Sequence, residues 1–114
     1  MNTLQFPPVS GDYLVSPIRA IDGDTVEFNW TMRGVVRLSG INAPEHNQPG
    51  GTEARDYLAK QLNYDPAGHI MLRITGKDKF GRMLGELWAG TACLNKIMVE
   101  TGHAVAWDGK GAKP

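Results

Sequence analysis

Two residue types that act on phosphates stand close together in one stretch, Val36 to Glu45, which reads Val-Arg-Leu-Ser-Gly-Ile-Asn-Ala-Pro-Glu. An arginine fork holds phosphate oxygens while a nearby carboxylate can activate water, so Arg37 and Glu45 together suit chemistry on a phosphate. Val36 and Leu38 alternate with Arg37 and Ser39 as in a strand, which ends at Gly40, and the loop that follows presents Glu45 behind Pro44. Taken alone, Arg37 beside Glu27 or Glu45 could be a surface ion pair of little energetic worth. The elements around the stretch decide between these readings.

Upstream, Asp22-Gly23-Asp24 has the composition of a tight turn. Val26, Phe28 and Trp30 then alternate with Glu27, Asn29 and Thr31 as a half-buried strand, and a short connection through Met32, Arg33 and Gly34 leads into the next strand, Val35 to Ile41. Opposed side chains share a sheet face, so the even-numbered residues of both strands meet in the core. A turn centred near Met32 or Arg33 puts Asp24 opposite Gly40 or Asn42, and sets Arg37 against Glu27 or Asn29 on the face away from the core. One end of this hairpin therefore gathers three oxygen-bearing side chains, Asp24, Asn42 and Glu45.

The rest of the chain supplies a frame. Residues 1–11 read as a loose Pro-rich arm, and Tyr13 to Ile21 as a strand in which Pro17 marks an edge or a bulge. Ala54, Tyr57, Leu58, Gln61 and Leu62 follow the helical period. Ile70, Leu72 and Ile74 begin a fourth strand, Gly76 to Arg82 form a charged turn, and Met83 to Trp88 a fifth strand. A second helix spans Cys93 to Thr101 with Gly102 as its C-cap; His103 to Trp107 is extended, and residues 108–114 form a flexible tail. Trp30 and Trp88 are expected in the core. The order β1-β2-β3-α1-β4-β5-α2 is that of a mainly β (α+β) OB-fold, a five-stranded Greek-key barrel, as a single domain over residues 12–107.

Composition narrows the functions. The 114 residues carry twelve Lys and Arg against twelve Asp and Glu, so no general attraction to nucleic acid or acidic membrane exists, and phosphate binding requires locally clustered cations. A lone Cys93 rules out an internal disulfide and a multi-thiolate metal site and is expected to be buried. His46, His69 and His103 share no ligand spacing. The Met-Asn-Thr-Leu-Gln-Phe-Pro-Pro start has neither the basic residues nor the apolar run of a signal peptide, and no stretch suits a bilayer. The expectation is a monomer of the cytoplasm, with secretion left open for a processed form.

Four segments in order resemble the thermonuclease (staphylococcal nuclease-like) family: Ala20 to Val26, Val36-Arg37-Leu38 with Gly40 to Glu45, Asp78-Lys79-Phe80-Gly81-Arg82, and Leu94-Asn95 with Val99 and Gly102. Any one is a weak signal, whereas all four at similar spacing are strong. The resemblance implies an OB-type barrel and metal-dependent hydrolysis of phosphodiester bonds in DNA or RNA, typically with calcium; magnesium or manganese could replace it. It implies Arg37, Glu45 and Arg82 as catalytic residues. It implies Asp24, Asn42 and the Ala43 backbone carbonyl as metal ligands, with Glu45 near the ion through water, and Lys79, Phe80 and Trp107 as substrate contacts, Trp107 as a base-stacking platform.

Two departures matter. Asn42 stands where the family has a second metal carboxylate, which removes one negative charge and weakens the expected metal affinity. Phe80 replaces a tyrosine and its hydroxyl. The rival function is a catalytically weak or inactive OB-fold module that binds nucleic acid, against which the intact Arg37, Glu45 and Arg82 set argues.

Overall fold

Val26 and Phe28 on one strand and Val36 and Leu38 on the next are fully buried, as period-two alternation requires when one face of a sheet is dry. The computed structural model describes residues 11–30, 33–63, 68–79, 81–110 and 113–114. Its elements run β1 (Gly11–Asp22), β2 (Thr25–Asn29), β3 (Arg33–Leu38), β4 (Ile41–Asn42), α1 (Gly51–Leu62), β5 (Ile70–Lys77), β6 (Met83–Ala89), β7 (Ala92–Cys93), α2 (Leu94–Glu100) and β8 (Val105–Ala106). The two-residue strand β7 is an addition that the residue spacing does not predict, whereas β4 overlaps the end of the expected third strand and β8 lies in the segment expected to be extended.

The long strands form a sheet in the order β3-β2-β1-β5-β6, and a parallel pairing of β3 with β6, from Val36↔Met83 to Leu38↔Gly85, closes it into a five-stranded barrel. Closure leaves the barrel strands without an open edge. β1 serves two neighbours: Gly11 to Val15 pair with β5 and Ser16 to Asp22 with β2, with register slips after Pro17 and after Ala20. The slip at Pro17 is the expected bulge. It changes the inward phase, so that Val15 and Ala20 both face the core despite their odd spacing. Both helices pack on the barrel, α1 through Ala54, Leu58 and Leu62 and α2 through Leu94 and Met98. Full burial of each such leucine contributes roughly 1.5–3 kcal/mol relative to exposure.

Three side chains depart from their expected places. Trp30 is 37% exposed and meets Tyr13 edge-on, with ring centroids 5.1 Å apart, because the β2–β3 ladder ends at Asn29↔Arg33 and leaves it past the last pair. Trp88 lies half-buried on the outer face, since β6 turns Gly85, Leu87 and Ala89 inward. Its indole donates to Glu86 Oε1 at 3.2 Å, and Arg73 Cζ sits 5.6 Å from its ring centre. Cys93 is half-buried at the N-cap of α2. Among the described residues no helix is long and apolar enough to cross a membrane.

Candidate functional site

Arg37 follows the alternation of β3, with Val36 and Leu38 inward, and so starts on the outer face. It nevertheless ends up buried, its side chain 7% exposed. The chain turns at Gly40 and folds back through β4, which pairs with β8 as Ile41↔Ala106 and Asn42↔Val105. Trp107 then donates its backbone N–H to the Gly40 carbonyl at 2.9 Å, and Arg37 Cζ lies 5.8 Å from the centre of its indole. Beneath this cover Arg37 Nη1 donates to the Leu38 and Ile41 carbonyls at 2.9 and 3.0 Å. Nη2 reaches Asn42 Oδ1 and Asp24 Oδ2, each at 3.3 Å.

The expected register of the hairpin needs correction. Thr25 lies opposite Arg37, not Glu27 or Asn29, and Asp24 accepts the Leu38 N–H on its backbone carbonyl at 2.7 Å, not opposite Gly40 or Asn42. The chain reverses earlier than a turn centred on Met32 or Arg33 allows. The shift is an even number of residues, so the core face is preserved. Glu27 pairs instead with Arg19 at 2.9 Å and, more distantly, Arg33 at 3.9 Å. Asp24 and Asn42 still meet, but around the Arg37 guanidinium and through the fold-back after Gly40.

The Asp-Gly-Asp turn clasps the Glu45 loop on both sides. Asp24 Oδ2 accepts the Ala43 N–H at 2.9 Å while its Oδ1 accepts the Thr25 hydroxyl at 2.9 Å. Asp22 Oδ1 accepts the His46 N–H at 2.7 Å and contacts His46 Nδ1 at 3.0 Å. Glu45 itself donates its N–H to Gln48 Oε1 and accepts the Gln48 N–H, both at 2.9 Å. The start of α1 presses against this loop so closely that a Cβ on Gly51 would stand 1.7 Å from the Glu45 carbonyl oxygen; only glycine fits there. The Glu45 side chain is exposed at the rim of this clasp.

On the other wall, the β5–β6 hairpin carries Lys79 and Arg82. Asp78 holds Arg82 twice, by its backbone N–H at 2.8 Å and its Nε at 2.6 Å, and the Arg82 side chain remains 50% exposed. Between the walls lies a cleft of about 640 Å³ lined by Arg37, Lys79 and Arg82, by Ser39 to Ile41, and by Trp107, Asp108, Lys110 and Lys113 among others. Five of the chain's twelve cationic side chains line it against two of its twelve carboxylates, Asp78 and Asp108. A neutral chain has thus concentrated positive charge in one cleft.

The structure therefore brings Arg37, Arg82, Lys79 and Trp107 to one cleft and joins Asp24, Asn42 and Ala43 to Arg37, Asp24 by an ion pair, Asn42 by a hydrogen bond and Ala43 through Asp24. Glu45 stands on the adjoining loop and is not among the cleft's lining residues. Phe80 lies outside the described residues. As metal ligands Asp24, Asn42 and the Ala43 carbonyl are all oxygen donors, the type a hard divalent cation takes. Asp24 is the sole buried carboxylate there and already faces a guanidinium; among the described residues no three His, Cys, Asp or Glu side chains cluster as a cage. By type alone these oxygen donors fit a hard divalent cation.

Residue types alone give no role to Asn95, Asp78, Lys110 or Lys113, although the resembling segments contain Asp78 and Asn95. Asn95 is buried at the start of α2, where its Nδ2 donates to the Ser39 and Gly85 carbonyls at 2.9 and 3.0 Å and its Oδ1 accepts the Leu87 N–H at 3.2 Å. It thereby pins the turn that follows Arg37 to β6. The signal for Asn95 was a polar residue at the start of an apolar helix face; for Asp78 it was the four-residue spacing to Arg82. Lys110 and Lys113, in the expected flexible tail, offered none.

The sequence profile of the Staphylococcal nuclease homologue family matches residues 35–113, a span that includes Arg37, Glu45, Arg82 and the cleft-lining tail. Relatives include the micrococcal nuclease of Shigella flexneri, 32% identical over 112 residues that cover 88% of this chain and 62% of that protein. Protein ParB of Escherichia coli is 33% identical over 109 residues, 85% of this chain and 60% of its own length. The thermonuclease of Staphylococcus hyicus is 30% identical over 96 residues, 78% of this chain and 56% of that protein. The chain thus spans about three fifths of the length of these relatives. With a closed five-stranded barrel, two helices and a profile match over most of its length, this chain belongs to the Staphylococcal nuclease homologue family.

Proposed function

We propose that the chain is a nuclease domain that hydrolyses phosphodiester bonds of DNA, RNA or both. The observation that carries this reading is the convergence of Arg37 and Arg82, 45 positions apart in sequence, on one cationic cleft in a chain of zero net charge. Two guanidiniums grip a phosphate from two sides and stabilise the charge that develops as phosphorus becomes five-coordinate. Glu45 takes the proton of the attacking water as general base. Lys79 and Trp107 hold the flanking strand, Trp107 offering a stacking surface, with Phe80 next to Lys79 in sequence.

A divalent cation, calcium foremost with magnesium or manganese as alternatives, would be held by Asp24, Asn42 and the Ala43 carbonyl, with Glu45 contributing through water. It would supply Lewis-acid polarisation of the phosphate. Asn42 in place of an acid and Arg37 beside Asp24 both lower the affinity for it.

The test is release of acid-soluble nucleotides from heat-denatured DNA and from RNA with calcium, magnesium, manganese or chelator, comparing wild type with Glu45→Gln. The expected result is chelator-sensitive release that Glu45→Gln lowers by about two orders of magnitude or more. No release with any ion, alongside retained nucleic-acid binding, would overturn the enzyme reading and leave an OB-fold binding module.

A further inference from the structure

Lys110 enters the cleft on a segment whose backbone is anchored to the loop that covers Arg37, and Lys113 also lines the cleft. β8 pairs with β4, Trp107 donates to the Gly40 carbonyl, and the Trp107 indole Nε1 donates to the Lys110 carbonyl at 3.0 Å. Asp108 Oδ1 accepts the Lys110 N–H at 2.9 Å, closing a turn with Gly109 at φ +83°. Asp108 also lines the cleft and is the one acid of this wall. The wall thus presents Lys110 from a hydrogen-bonded turn, with Lys113 also lining the cleft, beside the guanidinium that meets the scissile phosphate in the proposed reaction.

The catalytic step needs one phosphate, and Arg37 and Arg82 serve it. Lys110 and Lys113, two cations in addition to Lys79 on the other wall of this cleft of about 640 Å³, exceed that need. Grooves on OB-type barrels follow the backbone of a single strand over several nucleotides by such positive charge. We propose that the turn from Trp107 to Lys110, with Lys113, is a second-phosphate subsite that makes the domain selective for polynucleotide over minimal single-phosphate substrates. This rests on the nuclease reading for its choice of ligand, but it is a claim about binding and is tested by binding.

The experiment measures anisotropy of a labelled eight-residue oligothymidylate, in chelator so that nothing is cut, between 50 and 200 mM salt. Wild type is compared with Lys110→Ala/Lys113→Ala and with Lys60→Ala/Lys96→Ala, a control of equal charge whose exposed lysines lie on α1 and α2 outside the cleft. A dinucleoside monophosphate serves as competing ligand. Each lost phosphate contact lowers the salt slope of single-strand binding by about 0.7. The tail variant should therefore lose roughly 1.4 from the slope and weaken oligonucleotide binding about tenfold, while competition by the dinucleoside monophosphate and the control variant stay as in wild type. An unchanged slope, an equal loss in the control, an equal loss for the dinucleoside monophosphate, or no oligonucleotide binding by wild type would each overturn the subsite. Nucleotide release, assayed separately, distinguishes failure of the subsite from failure of the nuclease reading.

Discussion

Arg37 and Arg82 reach the same cleft, yet the protein holds them in opposite ways. Arg37 is 7% exposed and engages two backbone carbonyls, an amide and a carboxylate, whereas Arg82 is half exposed on a hairpin turn beside Asp78. Removing Arg37 would strand buried Asp24 without its cation and leave the Leu38 and Ile41 carbonyls short of a donor. Arg82 can be withdrawn with little disturbance, because exposed ion pairs contribute little to folding. One arginine belongs to the fold as well as to the site; the other belongs to the site.

Alanine at each position sharpens this contrast. Both variants should lose about two orders of magnitude or more in nuclease activity, but their unfolding in urea should differ. Arg37→Ala should cost about 3–5 kcal/mol, the penalty of breaking a buried pair from one side, and Arg82→Ala no more than about 1 kcal/mol. Equal stability losses would break the comparison.

A smaller effect is expected from Asn95→Ala, which touches neither arginine. It leaves the Ser39 and Gly85 carbonyls and the Leu87 N–H without a side-chain partner, and should cost about 1–3 kcal/mol in thermal or urea unfolding. Because Asn95 pins the turn after Arg37, activity should fall by more than in an equally destabilised variant of the distant outer face. Activity that merely tracks the folded fraction would show that the turn positions itself.

The smallest effect belongs to the outer-face pair of Asp12 and Arg73, 2.8 Å apart. The side-chain hydrogen bond from Arg73, helped by its charge, lowers the Asp12 pKa below the ordinary carboxylate value. A lowered folded-state pKa means stability present above the ordinary aspartate range and lost as pH falls through the lowered value. Asp12→Asn should therefore lower stability slightly at neutral pH, converge with wild type as pH falls below the lowered value, and leave activity alone. A change in activity would place this face in the site's service.

How far these features could be read ahead differs by physical cause. Val26, Phe28, Val36 and Leu38 announced their strands through alternation, and the bulge at Pro17 through its missing N–H, since both are local properties of the chain. The hairpin register was not legible, because composition does not set how many residues the reversal takes. The onset of α1 at Gly51 was hidden for a similar reason: its first turn carries no apolar pair, and Gly51 is required by the Glu45 backbone pressed against it.

The sequence by itself determined where Arg37, Glu45 and Arg82 stand in the chain and the strand and helix periods around them. Only the tertiary structure decided that Arg37 would be buried, that Asp22 and Asp24 would clasp the Glu45 loop, and that Trp107, Lys110 and Lys113 would wall the cleft. Strand periodicity assigns a residue to a face of its sheet, but what covers that face comes from segments distant in the chain. Here the covering segment is β8 and the turn after it, brought over Arg37 by pairing with β4.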